Sequence, residues 1–185
     1  MSGKQSPSTH RKRNALVLAV LGVLWLVLDQ LSKTLIDGSH AVGEHVAGPF
    51  LGIFQFTLVH NTGMAWGMLE DSTFALGLLS VAVCAVMALY LLAFEPQANL
   101  AEAFGGTLVV AGGLGNAIDR FSLGYVVDFI EPVFIEFPVF NVADIGVTCG
   151  FVLFLIGFVV REWTTDPVGV DGEDDGDAIE AEGQR

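Results

Sequence analysis

Four apolar runs organise this sequence, and polar stretches of very different character separate them. The first runs from Ala15 to Leu28 and continues as LDQLSKTLI, so the pattern predicts a helix over about 15–36, with Asp29, Gln30 and Lys33 towards its far end. A basic front and an apolar core also describe a secretory signal peptide. No small-residue cleavage site follows, which makes this run an uncleaved first span. The second run, about 72–94, contains no charged residue. The third, about 103–118, is rich in glycine (Gly105, Gly106, Gly112, Gly113, Gly115), and small residues let neighbouring backbones approach closely inside a membrane. The fourth, about 142–160, ends at Arg161. The pattern therefore predicts an all-α membrane protein with four transmembrane helices.

The connections are unequal. Between the first two spans, Gly38, Gly43, Gly48, Pro49 and Gly52 interrupt any long helix. Within that stretch Phe54, Phe56 and Leu58 alternate with Gln55, Thr57 and Val59, a weak period-2 signal for a strand with one apolar face. The following HNTGMAWG (His60 to Gly67) reads as a tightly folded loop. A short EPQANLAE link joins the second and third spans, and residues 119–141 join the third and fourth. The expected architecture is thus four helices with a small β-like platform and a loop over a site on the outer side.

Composition sharpens this picture. Hydrophobic residues make up 52% of the 185, and mean hydropathy is +0.61, too apolar for an ordinary soluble domain. The net charge of −13 argues against nucleic acid as a partner, but it is unevenly distributed: seven of the 21 acidic residues lie between Asp171 and Glu182. Residues 1–14, with Arg11, Lys12 and Arg13, read as a disordered basic cytoplasmic leader. Residues 15–161 form the membrane domain, and 162–185 read as a disordered acidic cytoplasmic tail. Basic residues at the leader and Arg161 after the last span put both termini in the cytoplasm. The two longer connections, 37–71 and 119–141, then face outward. Cys84 and Cys149 fall inside apolar runs without metal or disulfide spacing.

The chemistry is concentrated between Gly112 and Asp144. Polar groups beside membrane-length apolar runs are costly to keep and are functional candidates by default. Asp128 lies in YVVDFI and Asp144 in FNVADIG. Alone, Asp144 is equally well a helix cap, and Asp128 a polar tooth of an interfacial segment. Together, two carboxylates in a low-dielectric setting share a proton, so one acts as base on a water while the other polarises a carbonyl. That is the acid–base split peptide hydrolysis needs. Asp119 and Arg120 are adjacent, which suits a local ion pair at the membrane surface or an arginine holding a lipid phosphate or substrate carbonyl. Asn116 stands one turn before Arg120. Asn141 stands three residues before Asp144 and suits loop ordering or a hydrogen bond to substrate. Asp29 and Lys33 read as an intrahelical pair, and Asn61 as a turn residue. The four histidines (His10, His40, His45, His60) lie in the leader or first loop without an HExxH, so neither a metal nor another cofactor is expected. No GxSxG or P-loop is present.

Five short motifs stand in order: DQLSK (Asp29–Lys33), NTGMAWG (Asn61–Gly67), GGLGNAIDR (Gly112–Arg120), VVDF (Val126–Phe129) and FNVAD (Phe140–Asp144). In these the sequence resembles the lipoprotein signal peptidase (signal peptidase II) family of bacteria, over about residues 25–160. The resemblance implies a four-helix inner-membrane aspartyl endopeptidase that cuts signal peptides from diacylglyceryl-modified prolipoproteins before the lipidated cysteine, and that is sensitive to globomycin. It places the catalytic pair on Asp128 and Asp144, with Asn116, Arg120, Asn141, Asn61, Asp29 and Asp119 as substrate-binding or supporting residues. The partners expected are prolipoprotein substrates and membrane lipids, with the enzyme a monomer. The rival reading is a small transporter whose aspartates relay protons or cations, which favours acids near mid-span.

Overall fold

The computed structural model describes residues 7–94 and 98–165. Its elements in chain order are α1 (Pro7–Asp37), β1 (His45–Phe50), β2 (Phe54–Asn61), α2 (Thr73–Leu89, prolonged by a π-helical turn Tyr90–Phe94), α3 (Leu100–Ser122), β3 (Val126–Pro132) and α4 (Val142–Thr165). The helices turn their apolar side chains outward. Along α1, Leu16, Val20, Val23, Leu24 and Leu31 are exposed while Asn14, Asp29 and Lys33 are buried. A water-soluble bundle does the reverse, so this inverted polarity marks a body built for lipid.

Among the described residues, three helices are long and apolar enough to cross a membrane: His10–Asp37, Thr73–Phe94 and Val142–Thr164. The third of the four expected spans, α3, does not reach that apolarity. It packs against α1, α2 and α4 and buries Glu102, Thr107, Asn116 and Asp119. It does so because its glycines admit the neighbours' backbones: a Cβ on Gly112 would collide with the Ala143 carbonyl oxygen, and one on Gly113 with Cys84 Sγ. Asn99 and Glu102 start α3 as a reciprocal capping box, and Glu102 also accepts from Arg161 Nε through both oxygens at 3.1 Å. Arg161 is therefore tied back to α3, and α4 continues past it to Thr165.

Two expectations about the ends change. Of the expected leader, residues 1–6 lie outside the described residues, but Pro7–Asn14 is helical and belongs to α1. Proline suits a first helical turn, where its missing N–H is not needed, and Arg13 secures this turn by donating to the Ala98 carbonyl. Of the expected tail, residues 162–165 are helical, and 166–185 lie outside the described residues.

The single strand expected over 54–59 is the middle of an antiparallel sheet ordered β1-β2-β3. β1 escapes notice because its HVAGPF carries a glycine and a proline. β3 escapes because all of Val126–Phe129 is buried, which erases the period-2 alternation. The β2–β3 register, Phe56↔Ile130 then Val59↔Asp128, leaves one extra residue on β2, a bulge beside Asp128. After β3 the chain reverses and pairs Phe140 with Ile130, the Phe140 N–H donating to the Ile130 carbonyl at 3.0 Å. That return brings Asn141 and the start of α4 to Asp128.

The close contact of α3 with α4 supplies a test. A Cβ on Gly150 of α4 would stand 2.6 Å from the Gly105 carbonyl oxygen and 2.7 Å from Leu108 Cβ, whereas one on Gly22 of α1 would make an ordinary 3.6 Å contact with Thr107 Cγ2. We predict that Gly150→Ala lowers stability by about 1–3 kcal/mol through overpacking, while Gly22→Ala leaves it unchanged or raised. Unfolding midpoints in detergent micelles read both; equal midpoints for the two variants would contradict the packing.

Candidate active site

One end of the bundle holds a polar cluster enclosed by apolar helices, and α1 supplies its cation. Lys33, 2% exposed, spends each of its three N–H donors: on Asp29 Oδ2 at 2.9 Å, on Asp119 Oδ2 at 3.0 Å and on Asn116 Oδ1 at 2.8 Å. The expected Asp29–Lys33 pair is present, but it is buried and belongs to a larger network. Asp29 Oδ1 also accepts the Ala143 N–H at 2.8 Å, one of the orphan amides that open α4. Asp119 accepts from Gln30 Nε2 at 3.0 Å and from the Val127 N–H at 3.2 Å. Of the two readings of Asp119 and Arg120, the local ion pair is not formed among the described residues. Successive helical residues point about 100° apart, so Asp119 faces α1 while Arg120 turns away to donate from Nη2 to the Gly63 carbonyl at 3.2 Å.

Asp128 and Asp144 are brought together by a single asparagine. Asn141 Nδ2 donates to Asp128 Oδ1 at 2.7 Å, and the Asn141 backbone N–H donates to Asp144 Oδ2 at 3.0 Å. Asn141 Oδ1 accepts the Asp144 N–H at 3.0 Å. Asn141 is thus the N-cap of α4 and Asp144 its third residue, a reciprocal capping arrangement. The capping role and the pairing with Asp128 coexist, because Asp144 has a second oxygen: Oδ1 accepts from Asn116 Nδ2 at 2.8 Å. Asn116 Oδ1 in turn accepts from Asn141 Nδ2 at 3.0 Å as well as from Lys33. Asn61 does two jobs. Its Oδ1 accepts the Gly63 N–H at 2.9 Å, forming the expected turn, and its Nδ2 donates to Asp128 Oδ2 at 2.9 Å.

All eight residues singled out from the sequence therefore lie at one end of the bundle. Lys33 and Gln30 were missed as parts of the cluster. Their signal was present in DQLSK, where Asp29, Gln30 and Lys33 interrupt an apolar helix on one side, but the partners that fill it come from α3, 83 to 89 residues away.

A cavity of about 660 Å³ opens beside both aspartates and Arg120, walled by Leu79, Val83, Val109 and Ile145. Asp128 is 3% exposed, and burial, followed by the nearby charge of Asp144, raises its carboxyl from the ordinary 3.8 to about 7. Hydrogen bonds from Asn61 and Asn141 and the charge of Lys33 oppose that rise. The arrangement is two carboxyl groups, joined through Asn141, beside an apolar recess.

The sequence profile of the signal peptidase (SPase) II family matches residues 21–160. A lipoprotein signal peptidase of Streptococcus pyogenes serotype M1 is 39% identical over 146 residues, covering 78% of this chain and 93% of that protein. One from Nostoc punctiforme is 43% identical over 130 residues, covering 70% of this chain and 80% of its own. Two bacterial membrane enzymes solved by the in meso method, at 2.3 and 1.9 Å resolution, superpose with TM-scores of 0.72 and 0.67. They are 26% and 28% identical to this chain, cover 84% and 80% of it, and each is 93% covered in turn.

The raised Asp128 has a consequence for stability. The folded chain binds this proton more tightly than the unfolded chain does, so raising the pH from about 4 to about 7 removes a proton from the unfolded state first. Folding stability should fall across that window and level off above it. Asp128→Asn should flatten the fall, seen as the wild-type minus variant difference in unfolding midpoint against pH. A difference that does not change between pH 4 and 7 would show that Asp128 titrates at its ordinary value.

Proposed function

This chain belongs to the signal peptidase II family, and on that premise we propose that it is a bacterial membrane aspartyl endopeptidase that removes signal peptides from diacylglyceryl-modified prolipoproteins, cutting before the lipidated cysteine. The observation that supports the aspartyl mechanism is the joint hold of Asn141 on Asp128 and Asp144. With Asp128 raised to about 7, the pair carries one proton at neutral pH. The ionised carboxylate takes a proton from a water as its oxygen attacks the scissile carbonyl carbon, and the protonated carboxyl donates to the carbonyl oxygen. Collapse of the tetrahedral intermediate returns that proton from the hydroxyl and delivers the other to the leaving amine nitrogen. The C–N bond breaks, and the pair again holds one proton. Asn116, Asn61 and Asn141 fix the oxygens that do this work, while Lys33, itself held by Asp29 and Asp119, fixes Asn116.

In this reading α3 is the fourth membrane helix, its polar face screened by the other three. The basic residues in the first turns of α1, Arg11, Lys12 and Arg13, put both termini in the cytoplasm and the sheet and aspartates on the extracytoplasmic side, and the enzyme works as a monomer among membrane lipids. The acids stand at β3 and at the first turn of α4, not at mid-helix, which favours cleavage at an interface over an ion pathway. Arg120 lines the same apolar cavity as both aspartates, and its Nε is buried with no hydrogen-bond partner among the described residues. A donor left open beside the site suits a lipid phosphate or a substrate carbonyl.

Asp128→Asn and Asp144→Asn should each lower kcat on a lipidated prolipoprotein by roughly four orders of magnitude, and the double variant should be little worse, because groups acting as a unit are not additive. Substantial turnover by either single variant removes that residue from the chemistry. Arg120→Lys keeps the charge but loses the planar fork of donors, so we expect a rate about tenfold down, and about a hundredfold down for Arg120→Ala. Normal rates for Arg120→Ala would confine this arginine to its Gly63 contact.

A further inference from the structure

Two cavities meet at Asp128, and their walls differ. The larger is lined by the apolar side chains of α2, α3 and α4 described above. The smaller, about 560 Å³, lies among loop residues and carries two exposed acids that the mechanism does not use: Glu70, from the segment between β2 and α2, and Glu136, from the segment between β3 and α4. The two segments are joined across the cleft by an edge-to-face contact of Trp66 with Phe137, ring centroids 5.7 Å apart. Among the described residues no lysine or arginine lines this cleft; its titratable side chains are Asp128, Glu70, Glu136 and His60, whose Nε2 is engaged by Asp37 Oδ1 at 2.6 Å and whose ring stacks on Tyr125 at 3.7 Å.

A peptide whose scissile bond lies against Asp128 has one side in each cavity. The apolar signal peptide and the acyl chains on the cysteine both gain most from the apolar recess, which leaves the cleft for the polar residues that follow that cysteine. Resting on the reading that this chain removes signal peptides, we infer that the second cleft receives the residues that follow the lipidated cysteine, and that Glu70 and Glu136 set a preference there for basic over acidic side chains. Two carboxylates on facing loops attract a lysine or arginine passing between them and repel an aspartate or glutamate. The repulsion is as important to selectivity as the attraction. Because both acids are exposed, the preference weakens as salt rises.

The experiment uses the full chain in phospholipid vesicles and diacylglyceryl-modified prolipoprotein peptides that differ only in carrying Lys or Asp at the two positions after the lipidated cysteine. The readout is the ratio of kcat/KM for the two peptides within each variant, so loss of folded protein cancels. Wild type should prefer the Lys peptide roughly tenfold at low salt, less at high salt. Glu70→Gln and Glu136→Gln should each lower the ratio, and Glu70→Lys with Glu136→Lys should invert it. A wild-type ratio near one, or a ratio that none of these variants moves, overturns the inference. Failure of wild type to cut either peptide overturns the signal peptidase reading itself, and this inference with it.

Discussion

The burial of Lys33 is the constraint around which the functional end of this protein is arranged. An ammonium group inside an apolar bundle is tolerated only when every N–H has an acceptor and an opposite charge stands close by. Lys33 meets both conditions with acceptors from two helices, Asp29 on its own and Asp119 and Asn116 on α3. Each acceptor then has a further partner. Asp29 holds the Ala143 amide of α4, Asp119 holds the Val127 amide of β3, and Asn116 holds Asp144. One buried cation thereby sets the relative positions of three helices and a strand.

The same low dielectric that makes Lys33 demanding also acts on the aspartate pair. In water two neighbouring carboxyl groups would both ionise. Buried, with donors assigned to particular oxygens, they resist ionising together, and Asp128 is the carboxyl pushed to about 7. Asparagines suit the surrounding positions because each offers a donor and an acceptor without adding charge. Asn141 exploits this most fully, capping α4 with its oxygen and holding Asp128 with its nitrogen.

Close approach of the helices makes this possible. Gly112 and Gly115 let α3 come near enough to Ala143 and Asp29 for hydrogen bonds to cross between helices. Larger residues there would hold α1 and α4 off and leave the polar groups unpaired in an apolar setting, a state that costs more than the packing gains. The glycine content that lowers the apolarity of α3 is thus what allows it to stand at the centre of the bundle.

Much of this was legible in the residues. Apolar runs of membrane length marked three of the helices, the period-2 alternation over 54–59 marked β2, and polar residues stranded among apolar ones marked Asp29, Asn116, Asp119, Asp128, Asn141 and Asp144. These follow from local composition, because helix and strand formation and the cost of burying polarity are read within a few residues. The rest depended on contacts distant in sequence. β1 and β3 form through pairing with β2, and neither glycine and proline in the one nor uniform burial in the other announces a strand. Adjacency suggested that Asp119 pairs with Arg120, but helix geometry separated them and gave Asp119 to Lys33. Which carboxylate neutralises which cation, and which asparagine joins two aspartates, is decided by where α1, α3, β3 and α4 converge. Only the tertiary structure brings those ends together.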